Sequence, residues 1–224
     1  VLKWKGYPAL KLYQERKNRL HTFQDYRNDS KEKQNSRRYY LEFSGKAWYT
    51  VIMPLDHMNH TTIFIVYRLT AYHKYREVTE CNYLWSGGIG QNQQGVCFLS
   101  SGRTLRVLGA MDAQTGTTYT DISHFAGERS PCEIDEWNVL CLDVNRHLGA
   151  QSTLWVNRGR ILTFDAVQGT SIPALILGNS SAATSQTTLL NGYIASVELY
   201  RSGQNDYIID AKMKYLCDYY NIKE

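Results

Sequence analysis

The stretch Glu133-Ile134-Asp135-Glu136 places three carboxylates within four residues. On a strand, residues two apart face one side, so Glu133 and Asp135 would present a carboxylate pair. Glycoside hydrolysis uses such a pair as acid and nucleophile or base. The next position on that face is Trp137, and Glu136 points the other way. The set is therefore incomplete, and the plainer reading is a charged loop leading into a strand at Trp137. His57 and His60, with Asp56 beside them, carry the other concentration of ligating groups. No second pair completes a tetrahedral metal set, so these read as solvated loop histidines. Asp112, Asp121 and Asp143 are scattered, and calcium needs several converging oxygens. His124 stands near Asp121 and Ser123, but no G-x-S-x-G elbow accompanies it. Gly87-Gly88-Ile89-Gly90 precedes no helix, so it is a turn and not a phosphate cradle.

Five cysteines occur, at 81, 97, 132, 141 and 217, and none forms C-x-x-C. That excludes a zinc ribbon or a thioredoxin motif. Cys97 and Cys141 sit in apolar runs and read as core residues. A disulfide from Cys81 to Cys132 is conceivable, with nothing in the spacing to require it. Sequons stand at Asn28, Asn59 and Asn179, which lean slightly towards an extracellular setting.

Aromatic residues carry the binding signal. The chain has 17 Tyr and 5 Trp against 6 Phe. Tyr and Trp combine an apolar face with a polar tip and favour sugar- or protein-binding surfaces. Trp137 and Trp155 lie in strand patterns and read as core. Trp48 and Trp85 stand at strand-turn junctions, where exposure is expected. The loop from Gly88 to Gly95 contains Gln91, Asn92, Gln93 and Gln94. Amides donate and accept, which suits sugar hydroxyls. The candidate ligand-binding set is Trp48, Tyr83, Trp85, Gln91, Asn92 and Gln93, with no catalytic residue and no metal ligand.

Strands must position these groups. Apolar and β-branched runs at 39–43, 48–53, 61–69, 83–86, 95–99, 104–108, 117–120, 137–144, 152–156, 161–164, 174–177 and 189–200 alternate with Gly- and Asn-bearing turns. The run at 61–69 is almost continuously apolar, the pattern of a strand covered on both faces. Ile209, Met213, Leu216 and Tyr220 fall on one helical face, with Asp206 as the expected N-cap. With 224 residues, 43% hydrophobic, 12% aromatic and 21% charged, the chain is too apolar for disorder. It lacks the run of about 18 apolar residues that would span a membrane. The first 40 residues hold 11 Lys/Arg against four acids, which leaves −3 of the net +4 for the rest. Such a segment is more simply a solvated, partly irregular arm than a nucleic-acid-binding element. Opening on Val1, without a signal peptide, the chain reads as an excised domain or a processed product.

Several stretches, in order, resemble the laminin-G-like, concanavalin A-like sandwich. Pro8-Ala9-Leu10-Lys11-Leu12-Tyr13 resembles its opening strand, and Tyr40-Leu41-Glu42-Phe43-Ser44-Gly45-Lys46-Ala47-Trp48-Tyr49 its "F-x-G-x-x-D-Y" strand and turn. The pair Trp137–Asp143 and Leu154–Gly159 resembles "W-h-x-v-x-l … l-y-v-d-G", and Leu190–Tyr200 resembles "f-x-G-x-I-d-e-v-x-i-y". Tyr215–Ile222 resembles the closing helix. Glu133-Ile134-Asp135 also resembles part of the "E-I-D-x-x-E" strand of laminarinase-type glycosidases, without its last acid. The first eight residues look like a chromodomain strand, but lack that domain's following strand and helix.

The resemblance implies an all-β, two-sheet antiparallel jelly-roll sandwich with a short C-terminal helix. Residues 1–38 are expected to form a basic arm with the opening strand, and 39–224 the sandwich, as one globular domain. It implies a non-catalytic module that binds a glycan or a cell-surface protein receptor, extracellular or on a virion surface. Family members of this habit sometimes hold calcium at a rim. Homo-oligomerisation is expected to raise avidity, with no nucleic acid and no membrane insertion. The alternatives are an assembly domain or, less readily, a laminarinase-type glycosidase.

Overall fold

The computed structural model describes residues 11–14, 20–23, 38–44, 49–52, 59–70, 81–87, 94–99, 104–111, 116–123, 130–167, 174–179 and 190–222. The strands are β1 (Lys11–Gln14), β2 (Leu20–Phe23), β3 (Arg38–Ser44), β4 (Tyr49–Ile52), β5 (His60–Leu69), β6 (Cys81–Gly87), β7 (Gln94–Leu99) and β8 (Leu105–Leu108). They continue as β9 (Ala110–Met111), β10 (Tyr119–Ile122), β11 (Trp137–Asn145), β12 (Gln151–Val156), β13 (Gly159–Ala166), β14 (Ala174–Leu177) and β15 (Asn191–Tyr200), and the helix α1 spans Asp206–Tyr220. Seven strands form one sheet in the order β1-β4-β14-β6-β7-β8-β10. Eight form the other, β2-β3-β15-β5-β11-β12-β13-β9. All paired strands run antiparallel, as the strand pattern implies. Residues 8–10 of the expected opening strand lie outside the described residues, its remainder falls in β1, and β1 and β2 join different sheets. Residues 1–8, including the chromodomain-like stretch, lie outside the described residues.

Two dry layers hold the sandwich. Between the sheets, Phe43, Ile63, Ile65, Tyr67, Leu140, Leu142, Val197 and Leu199 meet Leu84, Trp85, Val96, Phe98, Leu105, Val107, Leu175 and Leu177. On the far side of the eight-stranded sheet, α1 lays Ile209, Met213, Leu216, Cys217 and Tyr220 on Phe64, Val66, Val139, Cys141, Trp155 and Ala195. This explains why β5 is apolar at consecutive positions: odd residues face the other sheet and even ones face the helix. Trp155 is buried as expected, but under the helix and not between the sheets. Strict alternation in β15 would put Ile194 and Val197 on opposite faces. A register shift between Ile194 and Ser196 instead turns both into the inter-sheet core.

The helix is capped by Asn205 and not by Asp206: the Asn205 side chain accepts the Ile208 N–H at 2.9 Å. Asp206 occupies the first turn, where a carboxylate favours the helix N-terminus. At the other end Asn221 turns left-handed at φ 53, and the Ile222 N–H donates to the Cys217 carbonyl at 2.8 Å. Ion pairs tie α1 to the sheet, with Lys212 on buried Glu198 at 2.8 Å and Arg158 on Asp210 at 3.6 Å.

Cys97 and Cys141 are buried, as their apolar context implies, and so are Cys132 and Cys217. All four are free thiols, which corrects the conceivable Cys81–Cys132 bridge. Burial pushes the Cys132 thiol from 9.0 up to about 12, with the Ser130 hydrogen bond pulling weakly the other way. Burial and then the Asp143 charge raise Cys141 well above 9.0. The unfolded chain therefore releases protons that the folded chain keeps, and this stability is full below pH 9 and lost as pH climbs towards 12. The urea midpoint is expected to fall steadily between pH 9 and 11, and Cys132→Ser to flatten that fall. A thiol reagent at pH 8 should leave all four untouched until the chain unfolds; labelling of the native protein would contradict their burial.

Candidate functional site

The outer face of the eight-stranded sheet is covered by α1 only in part. In strand register, Glu42, Tyr193, Arg68 and Trp137 form one row across β3, β15, β5 and β11. This row lies two residues beyond the Val66–Val139 pair that the helix covers. Tyr193 and Trp137 flank Arg68, and Tyr40 packs edge-on to Tyr193 with ring centroids 4.8 Å apart. Trp137 completes the trio, 6.2 Å from Tyr40 and 6.4 Å from Tyr193. All three rings are half-buried, so each keeps part of its surface in water. The Arg68 guanidinium sits 5.9 Å from the Tyr193 ring centre.

The loop at 130–136 supplies the site's acid. It is stapled to the end of β5: the Tyr67 hydroxyl donates to the Pro131 carbonyl at 2.9 Å, and the Asp135 N–H to the Leu69 carbonyl at 2.7 Å. Asp135 adopts φ 64, a left-handed conformation that Asp tolerates better than most residues. Its carboxylate thereby accepts from Arg68 Nη2 at 2.9 Å. The stretch 133–136 is a charged, exposed loop leading into β11, as the plainer sequence reading holds. Asp135 is engaged by an arginine and no third carboxylate stands at position 137.

Gly192 lets β15 pass here. A Cβ on it would meet the Arg68 carbonyl oxygen at 2.2 Å and the Leu69 Cα at 3.1 Å, both backbone atoms that cannot move aside cheaply.

The residues singled out in the sequence are placed differently. Trp85 is wholly buried in the inter-sheet core, which corrects its expected exposure: the strand end at Gly87 is itself dry, so no face is left for a ligand. Tyr83 is half-buried on the outer face of the seven-stranded sheet, against Cys97 and Leu99. Trp48, Gln91, Asn92 and Gln93 lie outside the described residues. The last amide of that run, Gln94, is buried and accepts from Arg146 Nη2, so it is not free to meet a sugar. Trp137, read as core, is half-exposed instead. Its strand is buried on both faces in the middle, so alternation alone does not say which face stays wet at its end. The available signal was the place of Trp137 at the first position of its strand.

His60 opens β5 and is not a free loop histidine. Its Nε2 lies 2.8 Å from Asp143 Oδ2, while the Thr62 hydroxyl donates to Asp143 Oδ1 at 2.5 Å. Thr62 is buried and also accepts the Gln204 N–H at 3.1 Å. Catalysis would need the histidine on the hydroxyl, but both bind the same carboxylate, so the cluster is a staple for the segment entering α1. His57 and Asp56 lie outside the described residues. Among the described residues, no three His, Cys, Asp or Glu side chains gather as a metal site would need. The sequon at Asn179 is buried, whereas Asn59 is exposed.

No protein-family model and no curated protein matches the sequence. Solved structures do. The binding domain of botulinum neurotoxin DC in complex with rat synaptotagmin II aligns with 92% of this chain and 47% of its own, at TM-score 0.61 and 11% identity. A botulinum neurotoxin type C structure described by its dependence on two ganglioside molecules aligns over 92% and 46%, at TM-score 0.60 and 11% identity. The Ruminococcus gnavus IT-sialidase CBM40 bound to α2,3 sialyllactose aligns over 78% and 96%, at TM-score 0.54 and 16% identity. These likenesses establish the β-sandwich. This chain spans under half of the neurotoxin chains, so the ligands named there belong to longer molecules.

Replacement of Gly192 by Ala is expected to lower stability by about 2 kcal/mol or more, because the clash is with backbone. Chemical denaturation measures it, and an unchanged midpoint would mean that β15 does not approach Arg68 this closely.

Proposed function

We propose that this domain is a non-catalytic recognition module that docks a glycan, or a receptor protein, on the Tyr40–Trp137–Tyr193 platform outside the cell. The carrying observation is a half-exposed aromatic trio set around an arginine on a sheet face that α1 covers only in part. Aromatic faces stack on the C–H faces of pyranose rings, and rings already packed on one another need little further ordering to do so. The three rings stand 4.8 to 6.4 Å apart and pack on one another. The nearby guanidinium disfavours a cationic ligand. The ion-paired Asp135 and the absent third acid support recognition over hydrolysis. The named ligands of the fold neighbours, gangliosides, synaptotagmin and sialyllactose, agree with a recognition role. Membership of the laminin-G-like, concanavalin A-like superfamily is part of this proposal. Tyr83, with Trp48 and the amides Gln91, Asn92 and Gln93, is proposed as a secondary contact; Trp85 is not retained.

One observation favours a second reading, an assembly role. On the outer side of α1, Tyr207, Ile208, Tyr215 and Tyr219 are exposed, with Tyr215 and Tyr219 stacked at 5.9 Å. Such a patch suits contact between protein subunits.

A glycan array, run with and without calcium chelation, tests the first reading. Specific signal is expected to fall at least about tenfold in Tyr193→Ala and Trp137→Ala, the loss of a binding anchor, with both variants checked for folding by circular dichroism. Loss on chelation would place an ion at the site. A blank array on folded protein would sink the glycan reading and leave a protein receptor or assembly.

A further inference from the structure

Two arginines on the outer faces of the sheets make a useful contrast. Arg106 grips Asp121 with two nitrogens, Nε at 2.6 Å and Nη2 at 2.7 Å, over the ring of Tyr119 at 4.0 Å. That fork is closed on its own sheet. Arg68 touches its acid with one nitrogen only, Nη2 on Asp135. Its Nε is buried without an acceptor. Nη1 has no protein acceptor among the described residues either. A guanidinium offers five N–H donors in a planar fork that matches a carboxylate. Here a single acceptor serves it, on a side chain 31% exposed, while Asp135 is 63% exposed.

We infer that Arg68 is the specificity-determining residue of the platform, and that it selects a sugar bearing a carboxylate. The inference rests on the recognition reading above and names the ligand class for the same site. Tyr193 and Trp137, its neighbours in the row, would hold the sugar ring. The acid group, a substituent of that ring, would then fall on the Nη edge of Arg68. Asp135 plays the counter-ion. It keeps the guanidinium oriented while the site is empty and competes with the incoming carboxylate. Nothing covalent changes; one charge-assisted hydrogen bond is shared or exchanged for others. An acidic peptide would satisfy the arginine equally, but the rings favour the flat face of a pyranose over an extended chain.

The test uses the whole chain and isothermal titration with two matched pairs. One pair is 3′-sialyllactose against lactose, and the other a hyaluronan tetrasaccharide against a neutral N-acetylglucosamine tetramer. The acidic member of at least one pair is expected to bind about ten- to a hundredfold tighter, the value of a hydrogen bond to a charged group. Arg68→Lys keeps the stem and the charge but loses the fork, and should bring the acidic sugar close to its neutral counterpart. Asp135→Asn removes the competitor and should tighten acidic binding several-fold, widening the ratio of acidic to neutral affinity. A merely structural ion pair would give no such gain. Equal binding of acidic and neutral sugars, abolished by Tyr193→Ala, would overturn the role of Arg68 and keep the platform. No binding of any sugar to folded protein, or capture of a poly-glutamate peptide instead, would overturn both the sugar class and the glycan reading beneath it.

Discussion

The contact on which the rest of the architecture depends is the burial of Phe64, Val66, Val139 and Cys141 under α1. A two-sheet sandwich needs only its inner faces dry. This one dries the outer face of its largest sheet as well, over the middle of β5 and β11. Burying a side chain of this size contributes on the order of 2 kcal/mol, so a helix with five buried residues is a substantial part of the domain's stability. Its cover is limited, however. A 15-residue helix is about 22 Å long, and its buried residues meet β5, β11, β12 and β15. The strand ends therefore stay open, and what stands there is a polar staple at one end and an aromatic row at the other.

That division explains the character of each end. At the His60 end, Asp143 receives His60 and Thr62 at once, and the Gln204 N–H joins through Thr62. Every partner in that staple is a partner of the fold itself. At the other end, the arginine has fewer acceptors than donors and the rings have one another. Polar groups satisfied internally make structure, whereas groups left short of partners beside apolar surface make a place for something else.

Much of the framework was legible before any coordinates. The strand runs, the doubly covered strand at 61–69 and the apolar stripe of α1 all follow from periodicity, because burial on one or two faces leaves different patterns. The seams were less legible. The bulge at Ala195 depends on how β15 meets both β3 and β5, a tertiary matter that an alternating string does not contain. The cap at Asn205 differs from Asp206 by one residue, since both can accept a backbone N–H and only the chain's entry angle chooses. The site suffered most. Trp85 stands beside a glycine turn, as an exposed residue would, yet its strand end is dry. Trp137 has the neighbours of a core residue and lies just past the edge of the helix. Trp85 turns into the core between the sheets, whereas the exposure of Trp137 is set by the reach of α1, more than 60 positions away.

β15 enters the eight-stranded sheet between β3 and β5, with Ser44 opposite Asn191 and Thr62 opposite Tyr200. Those partners lie well over a hundred residues apart in the chain. Until β15 arrives, both earlier strands present bare edges of unpaired amides and carbonyls, the kind that join other chains. Pairings across such distances form slowly, since loop closure comes before any contact rewards it. The sheet whose middle strands end covered on both faces thus begins with bare edges. During synthesis, the hazard for this domain is edge-to-edge association, and it lasts until the strand at 191–200 has emerged.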